Sequence, residues 1–189
     1  MSEAARVRRW SGLVITLHWL GAVLILELLV HGWMMLHGGF SAATTFDLFQ
    51  WHKSLGFVAL AVTLARLVAR AFSAPPPPLD SPLWERRLAV CVQALLYLVT
   101  LVAILSGWLA VSTALLPIPT RFFGLFVVPN IAAPDASLFA ATALAHWLAA
   151  LTIAGLVALH VAGALKHAMV DRDGVFRRIL PRWSGGSGA

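Results

Sequence analysis

The stretch "HWLAALTIAGLVALHVAGALKH", residues 146–167, is apolar enough to cross a membrane, yet it carries three histidines. A helix spans a bilayer core with about 20 apolar residues. His160 follows His146 by fourteen residues, and His167 follows after seven more. Fourteen residues advance a helix by about 1400°, within about 40° of whole turns, and by about 21 Å. The three imidazoles are therefore predicted on one helix face, at different depths.

The whole chain has the composition of a membrane protein. Of its 189 residues, 60% are hydrophobic and 12% are charged, and the mean hydropathy is +0.84. A typical soluble domain carries about twice that share of charge. We expect an all-α membrane protein with one domain over residues 1–183, a four-transmembrane-helix bundle, and a flexible tail at 184–189. The helices are predicted at about 12–36, 53–72, 86–113 and 138–168.

The basic residues predict the orientation of the chain in the membrane. All lysines and arginines except Lys53 and Arg121 lie before the first segment, around the second connection, or at the end of the fourth segment and beyond. The positive-inside rule therefore predicts that both termini are cytoplasmic. This topology explains the net charge of +6 without a nucleic acid partner. The Pro-rich run at 74–82 predicts a stiff inner turn, and the loop at 114–137 an amphipathic element at the outer interface.

The alternating helix directions sort four histidines into two levels. His18 lies in the inner part of the first segment and His160 in the inner part of the fourth. His52 and His146 lie at the outer ends of the second and fourth segments. Two imidazoles from facing helices suit the axial positions of a haem, whereas zinc requires four ligands at one centre. We therefore predict two haems b, with His18 and His160 on the inner iron and His52 and His146 on the outer iron; no CxxCH motif offers covalent attachment.

Other polar residues in the apolar segments have two interpretations each. Arg66 lies at the inner level on the ligand face of the second segment, where it would bind a haem propionate or serve as an ordinary positive-inside residue. His167 would contact a quinone or relay protons beside the inner haem, or extend to the interface. His31 and His37 have no facing partners and are expected at the solvated interface. Glu27, an intramembrane carboxylate, is a functional hypothesis without an assigned role.

Four glycines lie in the apolar segments and have an equally open interpretation. They would let a flat macrocycle approach the backbone, or they would allow close helix packing, which is the commoner use of small residues in membranes. These positions are Gly56, Gly107, Gly155 and Gly163.

Ordered motifs extend along nearly the whole chain. They are "TLHWL" at 16–20, "WHKSLGF" at 51–57 followed by "LARLVAR", "FFGLFVVPN" at 122–130, and the run from "AHW" to "LHVAGALKH". In order and spacing they resemble the bacterial di-haem cytochrome b561 family of four-helix inner-membrane proteins. The resemblance implies axial ligation by the four paired histidines, a bacterial inner-membrane location, and quinone exchange near the inner haem, with His167 at a position implicated in it.

The same resemblance implies a candidate reaction. One characterised member type oxidises superoxide at the periplasmic face and delivers the electrons through both haems to ubiquinone. Lys53 and Arg121 would attract a small anion at the outer face, or each would be a lone interfacial anchor. Our leading hypothesis is such a transmembrane electron-transfer oxidoreductase. The alternatives are a cytochrome b membrane-anchor subunit that exchanges electrons between quinone and a separate dehydrogenase or reductase, and a haem-free transporter or structural bundle.

Overall fold

The computed structural model describes residues 9–77, 81–116 and 118–181. The tail predicted at 184–189 and the centre of the Pro-rich run lie outside the described residues. Four long helices in the described part are apolar enough to cross a bilayer. They are α1 (Gly12–His37), α2 (Ala42–Ala71), α3 (Leu83–Thr113) and α4 (Ala136–Lys166). The predicted all-α, four-span membrane architecture is confirmed.

Helix α2 is longer than its apolar segment. It begins at Ala42, whereas the apolar pattern predicted a start near residue 53. The hydroxyl of Ser41 accepts a hydrogen bond from the backbone N–H of Thr44 at 3.2 Å and so caps the first turn. The first turns also carry Asp47 and Gln50, which lower the hydropathy of this part of the helix. A search for an apolar span therefore misses these outer turns.

The helices pack mainly as two pairs, α1 along α2 and α3 along α4. The interface between α2 and α3 is much smaller than either of these. One buried cluster lies within the first pair and the other within the second. Their buried members are Leu24, Ala59 and Val62, and Ala103, Ala149 and Ile153. Small residues in both clusters let the backbones approach closely, as is usual between membrane helices. Each pair therefore has its own apolar contact.

The outer connection between α3 and α4 contains a β-hairpin. Strand β1 (Thr120–Phe122) pairs antiparallel with β2 (Phe126–Val128). The turn between them uses positive φ angles of 47° at Phe123 and 76° at Gly124. Asp135 caps the N-terminus of α4, and its carboxylate accepts hydrogen bonds from the Ser137 hydroxyl and from two backbone amides. These bonds hold the pKa of Asp135 below its usual value.

Two side chains of α2 hold the first strand of the hairpin. The amide oxygen of Gln50 accepts from the backbone N–H of Arg121 at 3.1 Å. The hydroxyl of Ser54, which is fully buried, accepts from the N–H of Phe123 at 3.0 Å and lies 3.2 Å from the carbonyl oxygen of Arg121. The hairpin is therefore fixed to α2 through its backbone, which no hydropathy pattern reveals.

The inner end of α4 continues as an irregular segment. A π-helical turn (His167–Asp171) follows Lys166, and a short 3-10 helix covers Phe176–Arg178. The segment folds back to the bundle, where the indole N–H of Trp19 donates to the carbonyl of Ile179 at 2.8 Å. π-helical turns occur frequently at functional sites. The predicted helix end at residue 168 thus falls inside this turn.

Candidate functional site

The four paired histidines lie in two facing pairs. The rings of His18 on α1 and His160 on α4, here called the inner pair for its predicted orientation, have centroids 6.2 Å apart and planes inclined by 60°. The rings of His52 on α2 and His146 on α4, the outer pair, have centroids 6.0 Å apart and planes inclined by 84°. The structure therefore brings together the same histidines that the sequence predicts to face each other.

The spacing within each pair suits one metal centre. Two imidazoles that bind one ion from opposite sides, each through a nitrogen at about 2 Å, have ring centroids about 6 Å apart. Among the described residues, no third His, Cys, Asp or Glu completes a metal-binding group at either pair. The chain thus offers two nitrogen ligands at each level, which is the number that a haem requires because the porphyrin supplies the other four.

Backbone contacts orient the outer pair. Nδ1 of His146 lies 2.7 Å from the carbonyl oxygen of Ala103 on α3, so this nitrogen carries the proton and donates it. The lone pair of Nε2 is then available to a metal, which is the usual arrangement for ligating histidines. Nδ1 of His52 is buried and has no hydrogen-bond partner among the described residues. The outer pair thus has one ring fixed by the protein backbone and one without a fixed partner.

Gly107 on α3 lies against the His146 ring. A Cβ atom at this position would lie 2.9 Å from Nδ1 of His146, closer than Cβ atoms in real structures approach other atoms. At Gly56, Gly155 and Gly163 a Cβ would meet no atom within 4 Å. Nothing in the sequence distinguishes Gly107 from the other three glycines, because the contact depends on the rotation of α3 relative to α4.

The inner pair opens into a cavity of about 390 Å³. All four helices contribute to its walls, and Phe176 and Ile179 of the C-terminal segment close its inner end. This volume lies within the range of cofactor sites, and most of the wall is apolar, as in such sites. The cavity therefore suits a large, mainly apolar ligand that contacts both histidines.

One wall of this cavity is positively charged. The guanidinium of Arg66 lies 2.6 Å from Nδ1 of His18, and its central carbon is 5.1 Å from the centre of the Tyr97 ring. No carboxylate pairs with Arg66 in the described part of the chain, and the Tyr97 hydroxyl is buried there without a hydrogen-bond partner. A largely buried cation without a counter-ion is costly. The cavity is therefore suited to a ligand with an anionic group, such as a haem propionate.

The structure corrects the expectation for one histidine of α1. The His31 side chain is only 16% exposed, so it does not lie at the solvated interface. Its Nδ1 is 3.3 Å from the carboxylate of Glu27, one helical turn away. This i,i+4 spacing is the signal in the sequence that could have revealed the contact. His37 is exposed as predicted, and its ring stacks on Trp33 at 5.3 Å.

The two outer cations lie in different environments. Lys53 follows His52 on α2 and is partly buried, whereas Arg121 is exposed on β1. Gln50 and Ser54, which hold the backbone at Arg121, project from the face of α2 about 180° from that of His52. The backbone of Arg121 is therefore held on the side of α2 opposite His52, whereas Lys53 directly follows His52 in the chain.

His167 lies in an acidic environment at the inner end of α4. Its Nδ1 is 2.7 Å from Asp173 and 3.2 Å from Asp171. The ammonium of Lys166 lies 2.7 Å from Asp171 and 3.0 Å from Glu85 on α3. Asp171 has the i,i+4 spacing that could have revealed its contact with His167, whereas Asp173 lies beyond the turn and Glu85 on another helix, where helical spacing predicts no contact.

His167 also lines a second cavity. This cavity has a volume of about 250 Å³ and includes Arg172 and Arg177 in its walls. Phe176 belongs to the walls of both cavities. His167 thus lines a cavity that shares one wall residue with the larger cavity.

Comparisons with known proteins agree on one family along nearly the whole chain. A family model described as prokaryotic cytochrome b561 matches residues 9–182. Cytochrome b561 homolog 2 of Escherichia coli (strain K12) is 32% identical over 186 residues, which cover 97% of this chain and 97% of that protein. Both matches therefore include all four helices and both histidine pairs.

Proposed function

The chain belongs to the prokaryotic cytochrome b561 family of transmembrane electron-transfer cytochromes, which bind haem b, and we propose that it passes electrons between a periplasmic donor and membrane quinone through two haems. It is a multi-pass protein of the bacterial inner membrane. The proposal assigns His18 and His160 to the inner iron and His52 and His146 to the outer iron. In this proposal both termini are cytoplasmic. The electron donor is superoxide, and the electron acceptor is ubiquinone.

The observation that carries the proposal is the repetition of one pair geometry at two depths. The ring separations of 6.2 Å and 6.0 Å are nearly equal, although three different helices contribute the four histidines. Helix α4 supplies one member of each pair, and its two histidines are about 21 Å apart along the helix axis. Haem iron, when bound, alternates between its ferric and ferrous states and so carries one electron at a time.

At the inner pair, Arg66 donates a hydrogen bond to His18 in the structure and would bind a propionate when haem is present. A guanidinium only donates hydrogen bonds, so Nδ1 of His18 accepts from it and the ring proton lies on Nε2. If Arg66 paired with a propionate instead, Nδ1 of His18 could carry that proton, and the lone pair of Nε2 would be available to hold the haem iron. The Tyr97 hydroxyl is a second donor for the same carboxylate, since it has no other partner among the described residues.

The two ends of the proposed path differ in their polar groups. At the periplasmic end, Lys53 and Arg121 attract the superoxide anion through their charge. At the cytoplasmic end, His167 contacts the quinone from the wall of the smaller cavity. The chain itself therefore supplies anion attraction at one side and a hydrogen-bond donor at the other.

A reduced-minus-oxidised absorbance spectrum, with haem quantified per chain, tests the ligand assignment. We expect two b haems in the wild type and loss of one haem each in His52→Ala and His160→Ala, with the signal of the other haem retained. His37→Ala is the matched control, because His37 is exposed and lies outside both pairs. Two haems in both pair variants would overturn the assignment, and a well-folded protein that stays colourless with added haem would favour the haem-free bundle.

A second candidate is the membrane-anchor subunit of a larger oxidoreductase. It is favoured by the apolar hairpin, where Leu125 is 78% exposed and Phe126 and Val127 are each 57% exposed. Exposed apolar patches commonly mark a surface that contacts a partner or lipid. Stoichiometric co-purification of a soluble dehydrogenase or reductase, lost in Leu125→Ser, would support this candidate, whereas quinone reduction by the purified single chain would support the first.

A further inference from the structure

The acidic partners of His167 bear on how protons reach a quinone. Conversion of a quinone to a quinol requires two electrons and two protons, one proton for each carbonyl oxygen. Resting on the proposed quinone contact of His167, we propose that Asp173 is the positioning residue that holds Nδ1 of His167 and directs its Nε2 at a quinone oxygen. The smaller cavity would then be the chamber in which the quinone oxygen meets Nε2 of His167.

The distances favour Asp173 over Asp171 for this role. Asp173 is closer to Nδ1 of His167, at 2.7 Å against 3.2 Å. Lys166 lies 2.7 Å from Asp171 and so neutralises that carboxylate, whereas no cation pairs with Asp173 other than His167 in the described part of the chain. Asp173 is therefore the carboxylate whose charge is directed to the imidazole.

The Asp173 carboxylate is also fixed in place. One oxygen contacts His167, and the other accepts a hydrogen bond from the backbone N–H of Val175 at 3.0 Å. The side chains of His167 and Asp173 are each only 18% exposed, so water screens their attraction less than it would at an open surface. With Nδ1 donating to Asp173, Nε2 is directed away from the carboxylate and remains available to a substrate.

The remaining charged groups around this pair form a small network. Lys166 is 43% exposed and bridges Asp171 and Glu85. The charged groups that face His167 or its network are Glu85 from α3, Lys166 from α4, Asp171 from the π-helical turn, and Arg172, Asp173 and Arg177 from the C-terminal segment.

The proposed step balances in charge and mass. Each of two electrons reaches the quinone from the one-electron donor through the electron path proposed above. With each electron, the His167 ring takes up one proton from cytoplasmic water and passes one proton from Nε2 to a quinone oxygen. The products are one quinol and two oxidised donor molecules. Asp173 exchanges no proton in this step and acts only through the position of His167.

The rate of haem oxidation by a water-soluble ubiquinone analogue tests this role, with wild-type holoprotein that has been reduced beforehand. In Asp173→Asn the Nδ1–H of His167 lacks its charged acceptor and Nε2 is less well positioned. We therefore expect the limiting rate to fall about tenfold, while the analogue concentration that gives half of this rate changes less. Asp173→Glu should restore most of the wild-type rate, and Asp171→Asn should lower it less.

Two controls separate this inference from the proposed function. Asp47→Asn removes an exposed carboxylate at the opposite end of the bundle and should leave the rate unchanged. A wild-type holoprotein that the quinone does not oxidise would refute the proposed quinone reaction itself. A wild type that reacts, together with an Asp173→Asn protein of normal haem content and unchanged rate, would refute the role of Asp173 alone.

An infrared difference spectrum gives a readout that does not depend on turnover. With ¹⁵N-labelled histidine, addition of the quinone to the wild type should shift a ring band of histidine, because Nε2 of His167 contacts a quinone oxygen. His167→Gln should remove this shifted band, and Asp173→Asn should weaken it. A wild type without any shifted histidine band would overturn the quinone contact, and an equal shift in Asp173→Asn would overturn the role of Asp173.

Discussion

The outer and inner histidine pairs have almost the same ring separation but very different surroundings. In the outer pair, the ring of His146 donates a hydrogen bond to the Ala103 carbonyl and lies against Gly107. The inner pair opens into a cavity of about 390 Å³ with the guanidinium of Arg66 in its wall. Backbone and steric contacts thus define the outer site, while charge and open volume define the inner one.

This difference indicates a division of tasks between the two halves of the protein. A site defined by close backbone contact is rigid and admits few changes of shape. A site with a buried cation, a large volume and a neighbouring acidic network is suited to exchanging ligands and protons. We infer that the outer half holds its cofactor and receives electrons, whereas the inner half also handles the quinone and its protons.

The largest expected effect is that of Gly107→Ala. Its added Cβ would lie 2.9 Å from Nδ1 of His146, so the ring or one of the helices has to move. We expect loss of the outer haem and retention of the inner one, measured as haem per chain and by the reduced-minus-oxidised spectrum. Gly163→Ala, where a Cβ meets no atom within 4 Å, is the control. Full outer haem content in Gly107→Ala would refute the steric definition of the outer site.

An intermediate effect is expected from Arg66→Gln. The substitution removes the cation from the inner cavity but keeps a hydrogen-bond donor. Because reduction of haem iron lowers its positive charge, loss of a nearby cation should make reduction less favourable. We expect the midpoint potential of the inner haem to fall by about 60 mV, which is tenfold in the one-electron equilibrium constant.

The outer haem provides the internal reference for the Arg66→Gln experiment. Its potential should change much less than that of the inner haem, since Arg66 lies against the inner pair. Potentiometric titration resolves both haems in one sample. An equal shift of the two potentials would indicate a general change of the bundle and would remove the proposed distinction between the sites.

Much of the helical framework could be predicted from the sequence. The four spans follow from hydropathy, and the facing pairs follow from helix direction together with the spacing of His146 and His160. The predicted family resemblance is confirmed by matches along nearly the whole chain. These features depend on residues within one helix or on alternating helix direction, which a single sequence contains.

The details of each site depend on contacts that no periodic pattern encodes. The approach of Gly107 to His146 depends on how α3 is rotated against α4. The contact of Asp173 with His167 depends on a backbone reversal after α4. The hairpin strands have three residues each, too few for an alternating pattern to be recognised. The sequence therefore predicts the paired histidines better than the groups that surround them.

The smallest effect is expected when the charge of Lys53 or Arg121 is removed. These variants test whether the cations near the outer pair attract superoxide. Lys53→Gln should lower the second-order rate of haem reduction by superoxide several-fold at low ionic strength, because Lys53 directly follows His52 in the chain. Arg121→Gln should have less effect, since its strand is held on the opposite face of α2. The differences should diminish at high salt, as the screening length falls to a few ångströms.

The ranking of these two variants distinguishes attraction near the outer pair from a general charge effect. If the field of the whole outer surface attracted the anion, removal of either cation would lower the rate equally and with the same salt dependence. A larger and more salt-dependent loss in Lys53→Gln would instead locate the approach beside His52. Pulse-generated superoxide, with haem absorbance as the readout, measures both rates directly. Rates unchanged in both variants would exclude an electrostatic role for either residue and would favour their interpretation as interfacial anchors.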